Sequence, residues 1–156
     1  MLKIRPIEPD EIYLLEEFLY QAIFVPEGIP APSRSILQDP DLQLYIKDFG
    51  ARPDDWALAA EAEGQLVGAV WVRLMRDYGY YDDLTPSLSI SLLPDHRRQG
   101  IGQQLMTAML DLLRAQGYPR VSLSVSKDNP AARFYQRLGF VTVEERETDY
   151  LMLCDL

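Results

Sequence analysis

The sequence predicts an α/β domain in which helices pack on a mixed β-sheet. Short apolar runs with the alternation typical of strands are separated by segments whose apolar residues recur at helical spacing. Glycines and prolines mark the turns between them. The 156 residues are enough to bury a substantial core, and no repeat or linker interrupts them. We therefore predict a single domain over residues 1–156, with the element order β-α-α-β-β-β-α-β-α-β-β.

The first half of the chain predicts a strand, two helices and a hairpin. Leu2 to Pro6 alternates as a short strand, and a helix follows from Pro9, because proline is tolerated in the first turn of a helix. The proline-rich segment from Phe24 to Ser35 predicts a loop ahead of a second helix from Asp41 to Phe49. The hairpin strands are predicted at Trp56 to Ala62 and Leu66 to Met75.

The second half alternates strands and helices. A tyrosine-rich connection from Asp77 to Pro86 leads to an apolar strand at Leu88 to Leu93. A helix with a clear apolar stripe begins near Gly100 and stops at Gly117. A strand is predicted at Val121 to Val125, followed by a helix from Asn129, its capping residue, to Gly139. Two closing strands are predicted at Phe140 to Val143 and Tyr150 to Leu153.

The composition narrows the kind of partner. Lys and Arg number 15 against 24 Asp and Glu, for a formal net charge of −9, which argues against nucleic acid because such an interface needs a basic face. No stretch approaches the ~20 apolar residues of a membrane span, and the start lacks a signal-peptide core. Because Cys154 is the single cysteine, a disulfide within the chain and a cysteine metal cluster are excluded. We expect a cytoplasmic protein with no membrane association and no metal.

A glycine turn follows the strand at Leu88 to Leu93, with the sequence Arg97-Arg98-Gln99-Gly100-Ile101-Gly102. A strand that turns through glycines into a helix leaves several backbone N–H groups without a partner in the chain. Those donors and the positive end of the helix dipole favour a phosphate group. Glycine also lets the backbone approach a ligand closely. The turn therefore predicts a site for a phosphorylated ligand.

Three glycine-loop patterns compete for this turn. The P-loop pattern G-x-x-x-x-G-K-[ST] is absent, and the dinucleotide pattern G-x-G-x-x-G fails at its third glycine, where Leu105 stands. The pyrophosphate loop of coenzyme A binders, [RQ]-x-x-G-x-[GA], is matched by Arg97, Gly100 and Gly102. One helix and one strand later, a second segment places asparagine, tyrosine and a Gly-Phe pair between Asn129 and Phe140.

With both segments present, the chain resembles the GNAT superfamily of acetyl-CoA-dependent N-acetyltransferases, most strongly from Leu88 to Phe140. The resemblance implies a mixed, mostly antiparallel sheet that splays at its fourth strand, with flanking helices and the acyl-CoA in the split. It also implies transfer of an acetyl group from acetyl-CoA to a primary amine, of a small molecule or of a peptide, by direct attack on the thioester. The N-terminal half matches by element order alone.

The resemblance further implies which residues hold acetyl-CoA. Backbone donors of the glycine turn hold the pyrophosphate, and the main chain of Leu92 and Leu93 pairs with the pantetheine arm and offers an N–H to the thioester oxygen. Asn129 caps its helix and contacts the arm. The complete set is Leu92, Leu93, Arg97, Arg98, Gln99, Gly100, Ile101, Gly102, Gln103 and Asn129.

Tyr135 matches the family position whose phenol protonates the departing CoA thiolate. A thiol pKa of ~8.5 against a phenol pKa of ~10 makes tyrosine a weak but workable acid for this step. The general base stays open, because serines stand where many relatives carry a glutamate. The serines are Ser89, Ser91 and Ser124, and the carboxylates on nearby loops are Glu27, Asp82 and Asp83.

The acceptor side is predicted to combine aromatic walls with an acid, which suits an amine with an apolar body. Its candidate residues are Phe24, Glu27, Trp71, Tyr78, Tyr80 and Tyr81. Alternatively, the tyrosines form the contact of a homodimer. Two other functions stay open: a non-catalytic acetyl-CoA-binding or interaction module, and a nucleotide-binding regulator of Rossmann type.

Overall fold

The computed structural model describes all 156 residues and confirms the α/β class. The strands are β1 (Leu2–Pro6), β2 (Trp56–Ala62), β3 (Gln65–Arg73), β4 (Ser87–Leu92), β5 (Arg120–Ser126), β6 (Val141–Glu145) and β7 (Asp149–Asp155). The helices are α1 (Leu15–Ala22), α2 (Pro40–Gln43), α3 (Ile101–Ala115) and α4 (Ala131–Arg137). Short 3-10 segments cover Pro9–Leu14, Arg34–Gln38 and Pro94–His96. None of these helices combines the length and the apolar composition that a bilayer crossing requires.

All seven strands form one sheet with the order β1-β2-β3-β4-β5-β7-β6. Every neighbouring pair is antiparallel except β4 and β5, which are parallel. These two strands pair at Ser87 and Ser122 and then separate, whereas β4 pairs with β3 over its whole length. The sheet therefore opens between β4 and β5, which confirms the predicted splay at the fourth strand.

The core is divided between the two faces of the sheet, because side chains alternate along each strand. On one face, α3 packs through residues such as Leu105 against Val70 of β3. On the other face, Phe18 of α1 packs with Trp71, the next residue of the same strand. Each face of the sheet is thus covered by a helix, α3 on one face and α1 on the other.

The segment between α1 and β2 departs from the prediction. The sequence predicts a helix from Asp41 to Phe49, whereas α2 is a single turn and irregular turns follow it. Side chains of β3 hold these turns, since Trp71 Nε1 donates to the Tyr45 carbonyl at 3.2 Å and Arg73 Nη1 donates to the Leu44 carbonyl at 3.0 Å. Hydrogen bonds to the sheet therefore outweigh the local preference for helix.

Candidate active site

The glycine turn presents a row of free backbone donors. The N–H groups from Arg98 through Gln103 donate no hydrogen bond within the chain, and the first that does beyond them is Gln104, to the Gly100 carbonyl at 3.3 Å. These donors lie at the N-terminus of α3, where the helix dipole adds positive potential. The turn can therefore hold a phosphate or pyrophosphate through its main chain.

The two glycines of the turn have different reasons to be glycine. Gly100 has a φ of 82°, in the left-handed region that side chains rarely adopt, and a Cβ there would meet open space. Gly102 is helical, and a Cβ there would lie 3.8 Å from Phe134 and 3.9 Å from Leu92, which is ordinary contact. The backbone conformation therefore favours glycine at the first position, whereas the space around the second accommodates alanine.

The arginines of the turn point in different directions. Arg97 folds back onto the sheet, where its Nε donates to the Leu92 carbonyl at 3.3 Å and its Nη2 donates to Gln21 Oε1 at 3.2 Å. Arg98 is exposed, has a φ of 62° and forms no ion pair. Gln99 donates to the Asp95 carbonyl at 3.2 Å. Of the two predicted phosphate-binding arginines, the structure leaves the guanidinium of Arg98 free.

The backbone N–H groups of Leu92 and Leu93, both predicted to face the cofactor, point in opposite directions at the end of β4. The Leu93 N–H donates to the Val67 carbonyl at 2.8 Å and so faces β3. Because N–H direction alternates in an antiparallel ladder, the N–H groups of Leu92 and Ile90 face the opposite edge, toward the splay. The prediction of a free donor at Leu93 is thereby corrected, and Leu92 and Ile90 are the donors that the splay exposes.

A cleft of about 310 Å³ occupies the splay. Its walls come from the end of α1, the turns near Tyr45, the β3–β4 connection, β4, β5 and the start of α4, and most of the lining side chains are apolar. Ser89 and Ser124 line it, as does Asn129. Ser91 does not, because its hydroxyl donates to the Phe18 carbonyl at 2.6 Å inside the core.

Tyr135 stands on α4 at the edge of this cleft. Its ring packs edge-on against Phe140 at 6.0 Å, and its hydroxyl makes no hydrogen bond within the chain. Burial raises the pKa of Tyr135 to about 12, so the phenol stays protonated near neutral pH. Asn129 lies two residues before the same helix, whose N-cap residue is Pro130, and its Oδ1 accepts from the Ala131 N–H at 2.9 Å.

The structure brings only part of the predicted acceptor set to the cleft. Phe24 and Tyr78 line it. Trp71 does not, and its assignment is corrected: the ring is 0% exposed and packs in the core under α1. Glu27, Tyr80 and Tyr81 also lie outside its lining.

The other predicted tyrosines and the predicted carboxylates of the β3–β4 connection contact groups of the protein outside the cleft. The Tyr80 hydroxyl donates to Asp83 at 2.8 Å, and the guanidinium of Arg120 stacks on the ring of Tyr81. Asp82 accepts from the Leu84 N–H at 2.9 Å. Of the carboxylates predicted from the sequence, none faces the cleft.

Sequence reasoning missed Asp77, the carboxylate that does line the cleft. It lies in the β3–β4 connection, and its Oδ2 accepts a hydrogen bond from Ser87 Oγ at 2.8 Å. Its Oδ1 is buried and has no partner. Burial raises the pKa of Asp77 above its usual range. The only signal in the sequence was its place at the start of the tyrosine-rich connection, which does not distinguish it from Asp82 or Asp83.

Comparison with known proteins agrees with this geometry. The model of the acetyltransferase (GNAT) family matches residues 19–140. The mycothiol acetyltransferase of Paenarthrobacter aurescens is 31% identical over 111 residues, which are 70% of this chain and 34% of that protein. N-acetyltransferase family 8 member 3 of Mus musculus is 34% identical over 93 residues, which are 59% of this chain and 41% of that protein. The chain thus spans about a third of the length of the mycothiol acetyltransferase it matches.

Solved structures share the fold along the whole chain. The PaiA N-acetyltransferase of Thermoplasma acidophilum, in complex with coenzyme A, superposes with a TM-score of 0.74 at 19% identity, covering 100% of this chain and 99% of that chain. YncA of Salmonella typhimurium, a structure with acetyl-CoA, gives a TM-score of 0.71 at 19% identity, with 100% and 94% coverage. At these identities the likeness shows the fold.

Proposed function

Because the chain belongs to the GNAT acetyltransferase family, we propose that it transfers an acetyl group from acetyl-CoA to a primary amine by direct attack of the amine on the thioester. The observation that carries the proposal is the row of free N–H groups from Arg98 through Gln103. It follows the end of β4, the strand that borders the split, and Gly102 lies beside Leu92 at that end. A pyrophosphate suits those donors. A thin acyl arm suits the split.

The residues around the split divide the chemistry between them. The turn and Arg98 hold the pyrophosphate. The main chain of Leu92 and Ile90 faces the arm, and an N–H there stabilises negative charge on the thioester oxygen as the amine adds. Tyr135 protonates the leaving thiolate from its unpartnered hydroxyl. Acetyl-CoA supplies the activated acyl group.

Gly102→Ala tests the cofactor site separately from the fold. The new methyl group would lie beside Leu92 and Phe134, at the mouth of the split, without a clash in the protein. We expect the melting temperature to stay within about 2 °C and the Kd for CoA, measured by calorimetry, to rise at least about tenfold. Thr107→Ala, at an exposed position of the same helix, is the matched control and should bind CoA as the parent does.

Thiol release with a panel of primary amines then tests transfer. Amine-dependent release of CoA from acetyl-CoA supports the proposal. Binding of acetyl-CoA without release on any amine would instead indicate a non-catalytic binding module. A parent chain that binds no CoA, or CoA binding that Gly102→Ala leaves unchanged, would contradict the cofactor site itself.

A further inference from the structure

The deep end of the cleft holds an unusual carboxylate. Asp77 lies where β4 and β5 still pair, next to Ser87, whose hydroxyl donates to Oδ2 at 2.8 Å. Its Oδ1 is buried without a donor. Buried polar atoms are almost always hydrogen-bonded, and an exception at the bottom of a cleft is the position that a ligand donor would fill.

The surroundings of Asp77 offer no cation of the protein's own. No lysine, arginine or histidine lines the cleft, and its other titratable side chains are Tyr45, Tyr78 and Tyr135. Burial raises the pKa of Tyr45 well above its usual range, and the charge of Asp77 and a hydrogen-bonding contact with that carboxylate raise it further, so this phenol stays neutral. Arg146 lies behind Tyr78 but pairs with Glu144 and Asp149. An ionised Asp77 is therefore the only charge in the lining of the cleft, with hydroxyl groups but no cation near it.

From this arrangement we propose that Asp77 binds the ammonium group of the acceptor and accepts its proton. The proposal rests on the acetyl transfer proposed above and adds the base that sequence reasoning left open. Removal of Asp77 from water favours both ammonium binding and proton acceptance. It makes an ammonium ion the best available partner, and it makes the carboxylate a stronger base than a solvated one.

The proton balance of the reaction is consistent with this role. The ammonium gives one proton to the Asp77 carboxylate, directly or through one water, and Asp77 later returns it to solvent. The free amine forms the C–N bond, and the C–S bond breaks. The thiolate takes the Tyr135 proton, and the phenol regains one from the nitrogen as it becomes an amide. One proton is released for each acetyl group transferred.

The same arrangement defines a substrate class. The cleft has one carboxylate, no cation and mostly apolar walls. It therefore suits a primary amine on an uncharged, apolar body. A carboxylate or phosphate near the amine would be buried beside a like charge and without a cation to balance it, which is unfavourable. We expect alkylamines and arylalkylamines to be preferred over amino acids.

Asp77→Asn is the direct test, with Asp111→Asn on the exposed face of α3 as the control. With 2-phenylethylamine we expect kcat/KM to fall at least about a hundredfold, within the range of general-base contributions, while the Kd for CoA is unchanged. The pH profile changes as well. The rate of the Asn variant should rise with the free-amine fraction up to a pH of about 10, whereas the parent should level off at lower pH.

Substrate choice gives a second test. 2-Phenylethylamine and phenylalanine differ by one carboxylate, and the parent should prefer the former at least about tenfold in kcat/KM. A variant within twofold of the parent with the parent's pH profile, or equal use of both compounds, would overturn the role of Asp77.

Amine binding in the presence of CoA separates this proposal from the transfer reaction. Calorimetry of 2-phenylethylamine with the CoA complex needs no turnover, and binding that is lost in Asp77→Asn supports the ammonium site even if no acetyl group moves. Equal binding by the parent and the variant contradicts that site. Absence of thiol release by the parent contradicts the transfer function alone.

Discussion

Two carboxylates lie inside this protein, and their surroundings differ. Asp55 and Arg73 form an ion pair whose side chains are both 0% exposed. Two hydrogen bonds of 3.0 Å join them, and the Asp55 Oδ2 also accepts from the Gly50 N–H at 2.9 Å. The Asp77 Oδ2 accepts from Ser87, and the Tyr45 hydroxyl and the Gly79 N–H lie close to the carboxylate, but its Oδ1 has no hydrogen-bond partner. Both oxygens of Asp55, the carboxylate that stabilises the fold, accept hydrogen bonds. Asp77, the carboxylate that faces the cleft, has one oxygen that accepts none.

Removing one member of the Asp55–Arg73 pair should have the largest effect on stability. Asp55→Ala leaves a buried guanidinium uncompensated, and such losses are about 3–5 kcal/mol. Urea unfolding followed by circular dichroism measures it. Arg34→Ala is the control, because it breaks an exposed pair with Glu17, and exposed pairs contribute about 0–1 kcal/mol. Equal losses in the two variants would contradict the contrast between buried and exposed pairs.

Features that depend on residues close together in the sequence could be predicted, and features that depend on contacts between distant residues could not. The glycine turn and its free N–H groups depend on contiguous residues, and the pattern from Arg97 to Gly102 was sufficient to predict them. Splaying of the sheet came from the resemblance to a family. The turn was encoded in local spacing, whereas the splay was expected only because the family has it.

The acceptor side depends on contacts between distant parts of the chain. Whether Trp71 faces a cleft or a core is decided by the register of β3 and by the packing of α1, and the side-chain pattern of one strand does not give this. Tyr45 reaches the cleft because Arg73 and Trp71 hold its segment in turns rather than in the predicted helix. Asp77 becomes distinct from Asp82 only when burial is known.

Asp77→Asn should have the opposite effect on stability from Asp55→Ala. Replacing a buried carboxylate that lacks a donor with a neutral amide removes its desolvation, and we expect a gain of about 1–2 kcal/mol at pH 8. Because the pKa of Asp77 is raised in the folded state, the folded protein binds more protons than the unfolded chain between the two pKa values. The free energy of unfolding of the parent therefore falls as pH rises through the folded-state pKa.

Urea unfolding at several pH values measures this difference. The advantage of the Asn variant should shrink as pH falls through the folded-state pKa of Asp77, because the parent's carboxyl is then neutral as well. A variant that is less stable than the parent at pH 8 would show that Asp77, like Asp55, serves the fold.

Two tyrosines differ in the same way as the two carboxylates, and we expect smaller effects from replacing them. The Tyr118 hydroxyl donates to Asp54 and accepts from Trp56 Nε1, whereas the Tyr135 hydroxyl has no partner in the chain. Tyr118→Phe should therefore lose about 1 kcal/mol of stability, the net value of such a hydrogen bond, with turnover unchanged. Tyr135→Phe should leave stability and CoA affinity unchanged and lower kcat at least about tenfold, since it removes only the acid.

Thiol-release kinetics and urea unfolding on both Phe variants separate these effects. A loss of stability in Tyr135→Phe with normal turnover would assign that ring to the core alone. Because the phenol acts on the leaving group, the loss of kcat in Tyr135→Phe should diminish when the acyl donor has a more acidic thiol, which needs less protonation as it departs. An equal loss with both donors would place the effect of Tyr135 in positioning rather than in proton transfer.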